Sequence, residues 1–189
     1  MAGTTDKVQF NLKNVHYAPM TATGATPAWG TPVKVPGAVS LSLDQQGELT
    51  KFYADGIVYW QSSSNNGYEG ALEMALIPDQ MLMDIWGYTK TETDNVLIEN
   101  ATVEPKAFAL LFEIDGDVNG RRYCLYNCSG TRPGISSKTN ESTKEPQPQS
   151  FTVSAVPLEN GKVLARTTDE TTSQVKNEWF SEVYEEAAG

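Results

Sequence analysis

The sequence is poor in the residues that most often carry out chemistry or cross-link a fold. Its 189 residues include one histidine, His16, and two cysteines. One histidine leaves a catalytic triad or a zinc site without enough partners. Cys124 and Cys128 lie in a segment that alternates like a strand, so their Cα atoms would be ~13 Å apart, which is too far for a disulfide. We therefore expect free, buried thiols and a structural or surface role for His16.

Long apolar runs and clustered positive charges are also missing. No run approaches the ~20 residues of a membrane-spanning helix, and the first residues lack the basic-then-apolar pattern of a signal peptide. Lys and Arg number 14 against 24 Asp and Glu, which gives a net charge of −10. Phosphate binding needs clustered basic residues, and the one adjacent pair is Arg121 and Arg122. We expect a chain that folds in a cytoplasm, binds no membrane and does not hold DNA tightly.

Motifs for catalysis or metal binding are incomplete or missing. Residues 115–120, DGDVNG, match the first half of a calcium loop, but its twelfth position, where a bidentate Glu belongs, is Tyr126. No glycine-rich phosphate loop with a Lys is present, and no motif places two carboxylates for glycoside hydrolysis. The sequence predicts no enzyme, no metal site and no cofactor.

What the sequence does contain is a series of short strand candidates between turn signals such as Asp55-Gly56 and Asn160-Gly161. The candidates are residues 8–17, 39–43, 68–76, 106–114, 121–128, 151–156 and 162–168. The last two flank a predicted hairpin turn. Many short strands of this kind indicate an antiparallel β-sandwich or barrel. The length suits a single domain, residues 1–189.

Helical periodicity is found at two places only. Residues 79–86 predict a short flanking helix with one apolar face, which consists of Met81, Leu82, Ile85 and Trp86. Residues 173–185 predict a C-terminal helix whose apolar face includes Trp179, Phe180, Val183 and Tyr184. That face packs either on its own domain or on a neighbouring subunit.

Several segments lack apolar periodicity. Residues 19–36 and 130–149 are predicted loops, and residues 1–14 form a possible N-terminal arm. The second loop is long for a compact domain. It is either an intersubunit arm, a hairpin extension or a solvated loop. Residues 1–14 and 130–149 are predicted to be mobile in an isolated subunit and ordered in an assembly.

The strand at residues 68–76 separates two kinds of side chain. Glu69, Ala71 and Glu73 point one way, and Leu72, Met74 and Leu76 point the other. A second cluster in the sequence is aromatic and consists of Tyr53, Tyr59, Trp60 and Tyr68. Such aromatics are typical of a core, of a protein–protein contact or of a surface that stacks on sugars.

Four stretches together resemble a known family. They are residues 66–87 (NGYEGALEMALIPDQMLMDIWG), 52–70 (FYADGIVYWQSSSNNGYEG), 108–133 (FALLFEIDGDVNGRRYCLYNCSGTRP) and 177–186 (NEWFSEVYEE). In this order and spacing the chain resembles the major tail (tube) proteins of long-tailed, non-contractile bacteriophages. The resemblance covers most of the chain, from about residue 33 to the end.

The resemblance implies a structural virion protein of the phage tail, assembled in the host bacterial cytoplasm. Copies would form stacked hexameric rings whose inner sheets join into a channel wall. Further partners would be the tape-measure protein, the tail-tip and tail-terminator proteins, and DNA in transit without specific binding. Glu69 and Glu73 would line the channel, where carboxylates repel phosphate, or else they face outer solvent. Trp179, Phe180, Val183 and Tyr184 are the expected intersubunit contact.

A second hypothesis is a β-sandwich module that binds carbohydrate or a host surface. The aromatic cluster and the acidic charge are compatible with it. The missing signal peptide counts against a secreted module, although virion proteins also lack one.

Overall fold

The computed structural model describes residues 9–115, 120–139 and 145–186. These residues form thirteen strands and two helices. The strands are β1 (Phe10–Ala22), β2 (Ala28–Trp29), β3 (Val33–Lys34), β4 (Ala38–Gln46), β5 (Leu49–Ala54), β6 (Ile57–Ser63), β7 (Gly67–Met74), β8 (Thr89–Lys90), β9 (Leu97–Ile98), β10 (Phe108–Asp115), β11 (Arg121–Gly130), β12 (Gln149–Ala155) and β13 (Leu164–Arg166). The helices are α1 (Asp79–Trp86) and α2 (Ser173–Glu178).

One antiparallel sheet organises the described part of the chain. Its strands follow the order β2-β1-β10-β11-β12-β7-β4, with β3 beside β1 and β13 beside β11. Strands β5 and β6 form a separate hairpin, and β8 pairs with β9. The expected mainly β, antiparallel fold is confirmed, although the described strands form an open sheet and not a closed barrel.

The sheet curls around the main core. Strands β1 and β4 stand five positions apart, which would separate them by ~24 Å in a flat sheet. Nevertheless Val15 of β1 and Leu72 of β7 belong to one apolar cluster, against which Leu41 of β4 packs. The curled sheet therefore encloses this core between its two ends, and α1 covers it with Met81 and Trp86.

Helix α1 has the bounds that its apolar period predicts. The carbonyl oxygen of Pro78 accepts from the backbone N–H groups of Met81 and Leu82. Gly87 ends the helix in the left-handed conformation, φ 68°, which glycine adopts without steric cost. The indole of Trp86 donates to the carbonyl oxygen of Gly130 at 3.0 Å, and this bond ties the helix to β11.

A second apolar cluster lies on the opposite face of β1, β10 and β11. Ala109, Leu111 and Cys124 are its buried members on the sheet, and Trp179 covers them from the C-terminal segment. Both cysteines are free thiols, as expected. Cys124 lies in this cluster and Cys128 lies in the main core, because a register irregularity interrupts the pairing of β10 with β11.

The predicted hairpin between residues 151–156 and 162–168 is wrong. Strands β12 and β13 both pair with β11, through its residues 128–130 and 123–125 respectively. Val156 donates to the carbonyl oxygen of Asn127, and Tyr126 donates to that of Val163. Pro157 follows, and it has no N–H to donate. The chain therefore leaves the edge of β11 there and rejoins the same edge at Val163.

Other expectations differ in extent. The predicted loop at 19–36 includes β2, β3 and the end of β1. The C-terminal helix ends at Glu178 and is shorter than predicted. Single turns follow it, in which Trp179 donates to the carbonyl oxygen of Lys176 and Ser181 donates to that of Glu178. These turns bring Trp179 and Phe180 onto the sheet. Residues 1–8 of the predicted arm and residues 140–144 of the predicted long loop lie outside the described residues. Neither α1 nor α2 has the length and apolar content that a bilayer crossing requires.

Candidate functional site

A polar face runs across β11, β12, β7 and β4. The strand register places Ser129, Ser154, Glu69 and Asp44 in one row across the sheet. The same register aligns Thr152, Ala71 and Ser42 in the next row, and Ser150, Glu73 and Ser40 in the third. We call these three rows the polar face. Small hydroxyls and carboxylates make it shallow and hydrophilic.

The charge of the polar face is of one sign. Strands β4, β7 and β12 carry the carboxylates of Asp44, Glu69 and Glu73 and contain no Lys or Arg. Glu69 is exposed and Glu73 is half-buried. Ser40 donates to a carboxylate oxygen of Glu73 at 2.6 Å. This face can repel phosphate and can accept hydrogen bonds, but it has no cation to hold an anion.

The side of β7 that was predicted to be apolar is only partly buried. Leu72 and Met74 are buried in the main core, but Leu76 is 66% exposed. The strand ends at Met74, so Leu76 no longer follows the two-residue alternation of the strand. The prediction for Leu76 is therefore wrong.

Strand β4 forms a free edge next to the polar face. Eight of its nine residues pair with β7, with Val39 at a register irregularity, and no other described strand pairs with its outer edge. Val39 on this strand is 52% exposed. An exposed edge with unpaired backbone groups invites pairing with another chain.

The β5–β6 hairpin extends this edge beyond the sheet. Asn66 donates to the carbonyl oxygen of Gln46, and Ser64 donates to that of Glu48, so β4–β5 and β6–β7 form one interrupted ribbon. Asp55 and Gly56 make the tip with φ of 53° and 76°, which is the type I′ geometry that an Asp-Gly pair favours. Strands of this length span ~20 Å.

The hairpin exposes large apolar side chains on both of its faces. Phe52 pairs with Trp60 across the strands, and Tyr53 pairs with Val58. Their exposed fractions are 58%, 54%, 61% and 42% in that order. Every residue of β6 is exposed. The described hairpin therefore presents its apolar side chains to solvent on both faces.

The structure therefore separates the aromatic cluster seen in the sequence. Tyr53, Tyr59 and Trp60 are exposed on the hairpin, so a core role for them is wrong. Tyr68 is half-buried and packs against the main core. A protein contact and sugar stacking remain the two functions that fit exposed aromatics.

Residues 172–186 form a strap across the second apolar cluster, and we call this segment the C-terminal strap. Trp179 is buried within the chain and stacks on Tyr184 with ring centroids 5.4 Å apart. The indole of Trp179 donates to the carbonyl oxygen of Tyr123 at 3.3 Å. Phe180, Val183 and Tyr184 are half-buried. The structure brings these four predicted contact residues together on the chain's own sheet.

His16 and Arg122 hold Phe180 in the strap. The imidazole stacks on the Phe180 ring with centroids 4.6 Å apart, and the guanidinium lies 5.6 Å from the centre of that ring. Arg122 also donates to the carbonyl oxygen of Lys176. Burial lowers the pKa of His16 below its ordinary value, and the positive charge of Lys34 adds to this. His16 is therefore neutral at pH 7 and its role is structural.

A buried ionic cluster next to the strap has no counterpart in any sequence pattern. Glu113 is 5% exposed, and its carboxylate accepts from Asn14 at 2.9 Å. Lys13 and Arg122 form ion pairs with it at 3.3 and 3.5 Å. Asn14 has a positive φ of 52°, and this bulge in β1 directs its side chain to Glu113. Only the fold brings these four residues together.

Comparisons with known proteins add two distant structural likenesses. None of the known protein-family models matches the sequence, and no curated protein matches it. One similar chain belongs to the PVC sheath–tube complex of an extracellular contractile injection system, in its extended state. It is 13% identical, with 86% of this chain and 93% of that chain covered and a TM-score of 0.43.

Another similar structure is the cap that terminates the tube of the anti-feeding prophage. It is 14% identical, with 89% of this chain and 99% of that chain covered and a TM-score of 0.40. Likenesses at these TM-scores carry no argument about what this chain does.

Proposed function

We propose that this chain is a tail-tube subunit of a long-tailed, non-contractile bacteriophage, which polymerises as stacked hexameric rings around a channel for DNA. The exposed β5–β6 hairpin is the observation that carries the proposal. A two-stranded hairpin alone is marginally stable in water, and this one exposes Phe52, Val58 and Trp60. A surface of another copy would stabilise it.

The free edge of β4 supports a ring. Its unpaired backbone can join the sheet of a neighbouring copy, and a head-to-tail contact of this kind closes into a ring when its rotation fits. Closure removes the exposed edge. The non-contractile type and the hexameric number follow from the sequence resemblance.

The polar face supports a channel for DNA. With Glu69 and Glu73 towards the lumen, each ring repeats the same carboxylates around the wall. Repeated carboxylates repel phosphate, and the small Ser, Thr and Ala side chains leave the channel open. DNA then passes without adhering, which is the transport that ejection needs.

If the chain forms a tail tube, its other partners are the proteins that fill the tube and close its ends. The tape-measure protein would occupy the channel before DNA, and the tail-tip and tail-terminator proteins would close its two ends. The chain would assemble in the host bacterial cytoplasm and end in the virion tail. Trp179, Phe180, Val183 and Tyr184 would contribute to contacts between copies, in addition to the contacts that they make within the chain.

Sedimentation velocity and negative-stain electron microscopy test this function directly. The wild type at rising concentration should form rings or tubes. A Phe52→Ser and Trp60→Ser variant should remain monomeric with an unchanged far-ultraviolet circular dichroism spectrum. Val96→Ser is the matched control, because Val96 is 53% exposed and lies outside both the hairpin and the loop at residues 130–149. A wild type that stays monomeric at every concentration, or a hairpin variant that forms normal tubes, would contradict the proposal.

Exposed Tyr53, Tyr59 and Trp60 also favour a second candidate function, stacking on carbohydrate. A glycan array separates the two functions. A persistent monomer that binds glycans through these aromatics would replace the tube with a binding module.

A further inference from the structure

We propose that the channel wall does not end with the sheet but continues along one side of the β5–β6 hairpin, through Glu48, Thr50, Ser62 and Ser64. We call these four residues the hairpin polar rows. DNA in transit then meets carboxylates and hydroxyls on the hairpin as well as on the polar face. The inference rests on the proposed function, because it requires that copies of the chain enclose a channel.

The hairpin is held in line with the strands that carry the polar face. The backbone N–H of Ser64 donates to the carbonyl oxygen of Glu48 at 3.0 Å, and the N–H of Glu48 donates to the Ser64 hydroxyl at 2.9 Å. A Cβ on Gly47 would collide with the carbonyl oxygen of Ser64, so the two strands approach each other closely at this junction. The hairpin is therefore a continuation of the sheet.

The strand register shows which side of the hairpin continues the polar face. Gln46 pairs with Gly67 at the end of the sheet, and Leu49 pairs with Ser63 at the start of the hairpin. Three steps from 46 to 49 thus correspond to four steps from 67 to 63. The extra residue lies on the β6–β7 side, where Gly67 has a positive φ of 103°. Because only the bulged strand carries the extra residue, the alternation of side chains continues unbroken from β4 into β5.

This alternation places Asp44 of the polar face on the same side of the ribbon as Glu48 and Thr50. Ser62 pairs with Thr50 across the hairpin, and Ser64 is hydrogen-bonded to Glu48. All four members of the hairpin polar rows are exposed. Their side chains are of the same two kinds that dominate the polar face, carboxylates and small hydroxyls.

Charges are sorted between the two sides of the ribbon. Residues 38–74 contain one basic residue, Lys51. It alternates with Thr50 and therefore points to the opposite side, together with Gln61, its cross-strand partner. The carboxylates in the same range all lie on the polar side, except Asp55 at the tip of the hairpin. The polar side thus keeps one sign of charge along its whole length and repels phosphate throughout.

Distance gives Glu48 a role that the sheet carboxylates cannot fill. The hairpin polar rows reach ~13 Å past Gln46, at 3.3 Å per residue. Salt screens exposed charges beyond ~8 Å at physiological ionic strength. Asp44, Glu69 and Glu73 therefore do not protect this part of the wall, and the carboxylate of Glu48 supplies the repulsion there.

The aromatic tip of the hairpin has a different role. Phe52 and Trp60 are the next pair on this side after Thr50 and Ser62, and a register irregularity leaves Tyr59 unpaired beside them. Two-stranded ribbons twist strongly, and a bulge adds to the twist, so the tip turns away from the direction of the polar rows. One hairpin thus combines a channel wall at its base with a contact for another copy at its tip and on its opposite side.

Thiol labelling of assembled tubes tests the inference. Ser62→Cys is treated with a small maleimide and, separately, with a maleimide on a carrier protein too large to enter the channel. We expect both reagents to label the free subunit. In tubes, the small reagent should still react and the reaction with the carrier should be lost.

Gln61→Cys is the matched control, because it is the adjacent position on the opposite side of the hairpin. It should react with neither reagent in tubes, since that side contacts another copy. The two native thiols are buried, and burial raises the pKa of Cys124 to about 12. Because the thiolate is the reactive form, we expect both native thiols to stay unlabelled in every sample, as tandem mass spectrometry checks.

The labelling pattern can overturn the inference in two ways. Reaction of Ser62→Cys tubes with the carrier would place the polar rows on the outer surface, and reaction with neither reagent would place them in a contact between copies. Thr50→Cys repeats the measurement at a second position of the rows. Failure of both variants to assemble, with normal Gln61→Cys tubes, would also overturn the inference. If the wild type forms no tubes, the proposed function fails first.

Discussion

Glu113 of β10 is a buried carboxylate whose position depends on residues from the two neighbouring strands, β1 and β11. Lys13, Asn14 and Arg122 all contact it, and Arg122 in turn contacts the strap through Lys176 and Phe180. A buried charge is stable only when it is paired and hydrogen-bonded. Glu113 therefore links the first strand of the sheet to the last described segment of the chain.

Glu113→Gln should lower the free energy of unfolding by about 1.5–3 kcal/mol, because hydrogen bonds to a charged group have this value. The amide keeps one acceptor for Asn14 but no longer neutralises Lys13 and Arg122. Urea denaturation followed by tryptophan fluorescence measures the difference. Glu104→Gln, at an exposed carboxylate, is the control and should change stability little. Equal stabilities for the two variants would show that the cluster does not contribute.

His16 should titrate below its ordinary pKa of 6.5. Because the folded subunit then binds fewer protons than the unfolded chain near that pH, the free energy of unfolding should fall as the pH drops through 6.5 and below. Phe180→Ala uncovers the ring, so the pKa should rise towards 6.5. The ring C–H resonances of the one histidine need no assignment in a proton NMR titration. A midpoint at or above 6.5 in the wild type would contradict the buried stack.

At the scale of elements, β4 and β7 approach each other closely at Gly70. A Cβ added at Gly70 would lie 1.8 Å from the carbonyl oxygen of Ser42, so the two strands must separate or the new side chain must displace the backbone. Glycine at this position allows the edge strand to approach β7 and carry the polar face.

Gly70→Ala should therefore destabilise the protein by about 1–3 kcal/mol, the usual cost of overpacking. Gly134→Ala is the matched control, because no atom lies within 4 Å of the Cβ it would add. Thermal or urea unfolding compares the two. Hydrogen exchange should locate the loss at β4 and β7. An unchanged midpoint for Gly70→Ala would mean that β4 is not held as closely as the structure indicates.

Local signals predicted the elements that are determined by neighbouring residues. The change of period after Pro78 and the glycine at position 87 predicted the bounds of α1, and Asp55-Gly56 predicted a tight turn. The pairing of β12 and β13 with β11 could not be predicted in this way. It depends on hydrogen bonds of Tyr126 with Val163 and of Asn127 with Val156, which lie 37 and 29 positions away along the chain, and local turn chemistry favoured a hairpin instead.

The sites were less predictable than the elements, because exposure depends on what the rest of the chain leaves uncovered. The sequence around Phe52 and Trp60 would have the same pattern in a core strand as it has on the exposed hairpin. The alternation of Glu69 and Glu73 with Leu72 did predict which face of β7 is polar. The contact of Glu113 with Asn14 joins residues 99 positions apart, and no pattern in the sequence relates them.

At the scale of the whole molecule, the negative charge of the polar face should determine whether DNA adheres to the tube. Glu69→Lys and Glu73→Lys together should allow tubes to assemble but should make DNA adhere, with an affinity that falls as salt rises. Repulsion by the wild-type wall is screened beyond ~8 Å at physiological salt, so the difference should be largest in dilute buffer. Filter binding of labelled DNA to purified tubes measures it.

The control for this variant is Glu92→Lys with Glu104→Lys, which makes the same charge change at two exposed carboxylates outside the polar face. Equal DNA retention by the two double variants would place Glu69 and Glu73 on the outer surface. Retention by the polar-face variant alone would place them in the channel.

Cryo-electron microscopy of the assembled wild-type protein tests the central claim most directly. The account predicts stacked rings in which Glu69 and Glu73 face the channel and the β5–β6 hairpin is buried between copies. A reconstruction with the polar face on the outer wall, or with the hairpin in solvent, would contradict the account, as would a protein that remains monomeric at every concentration.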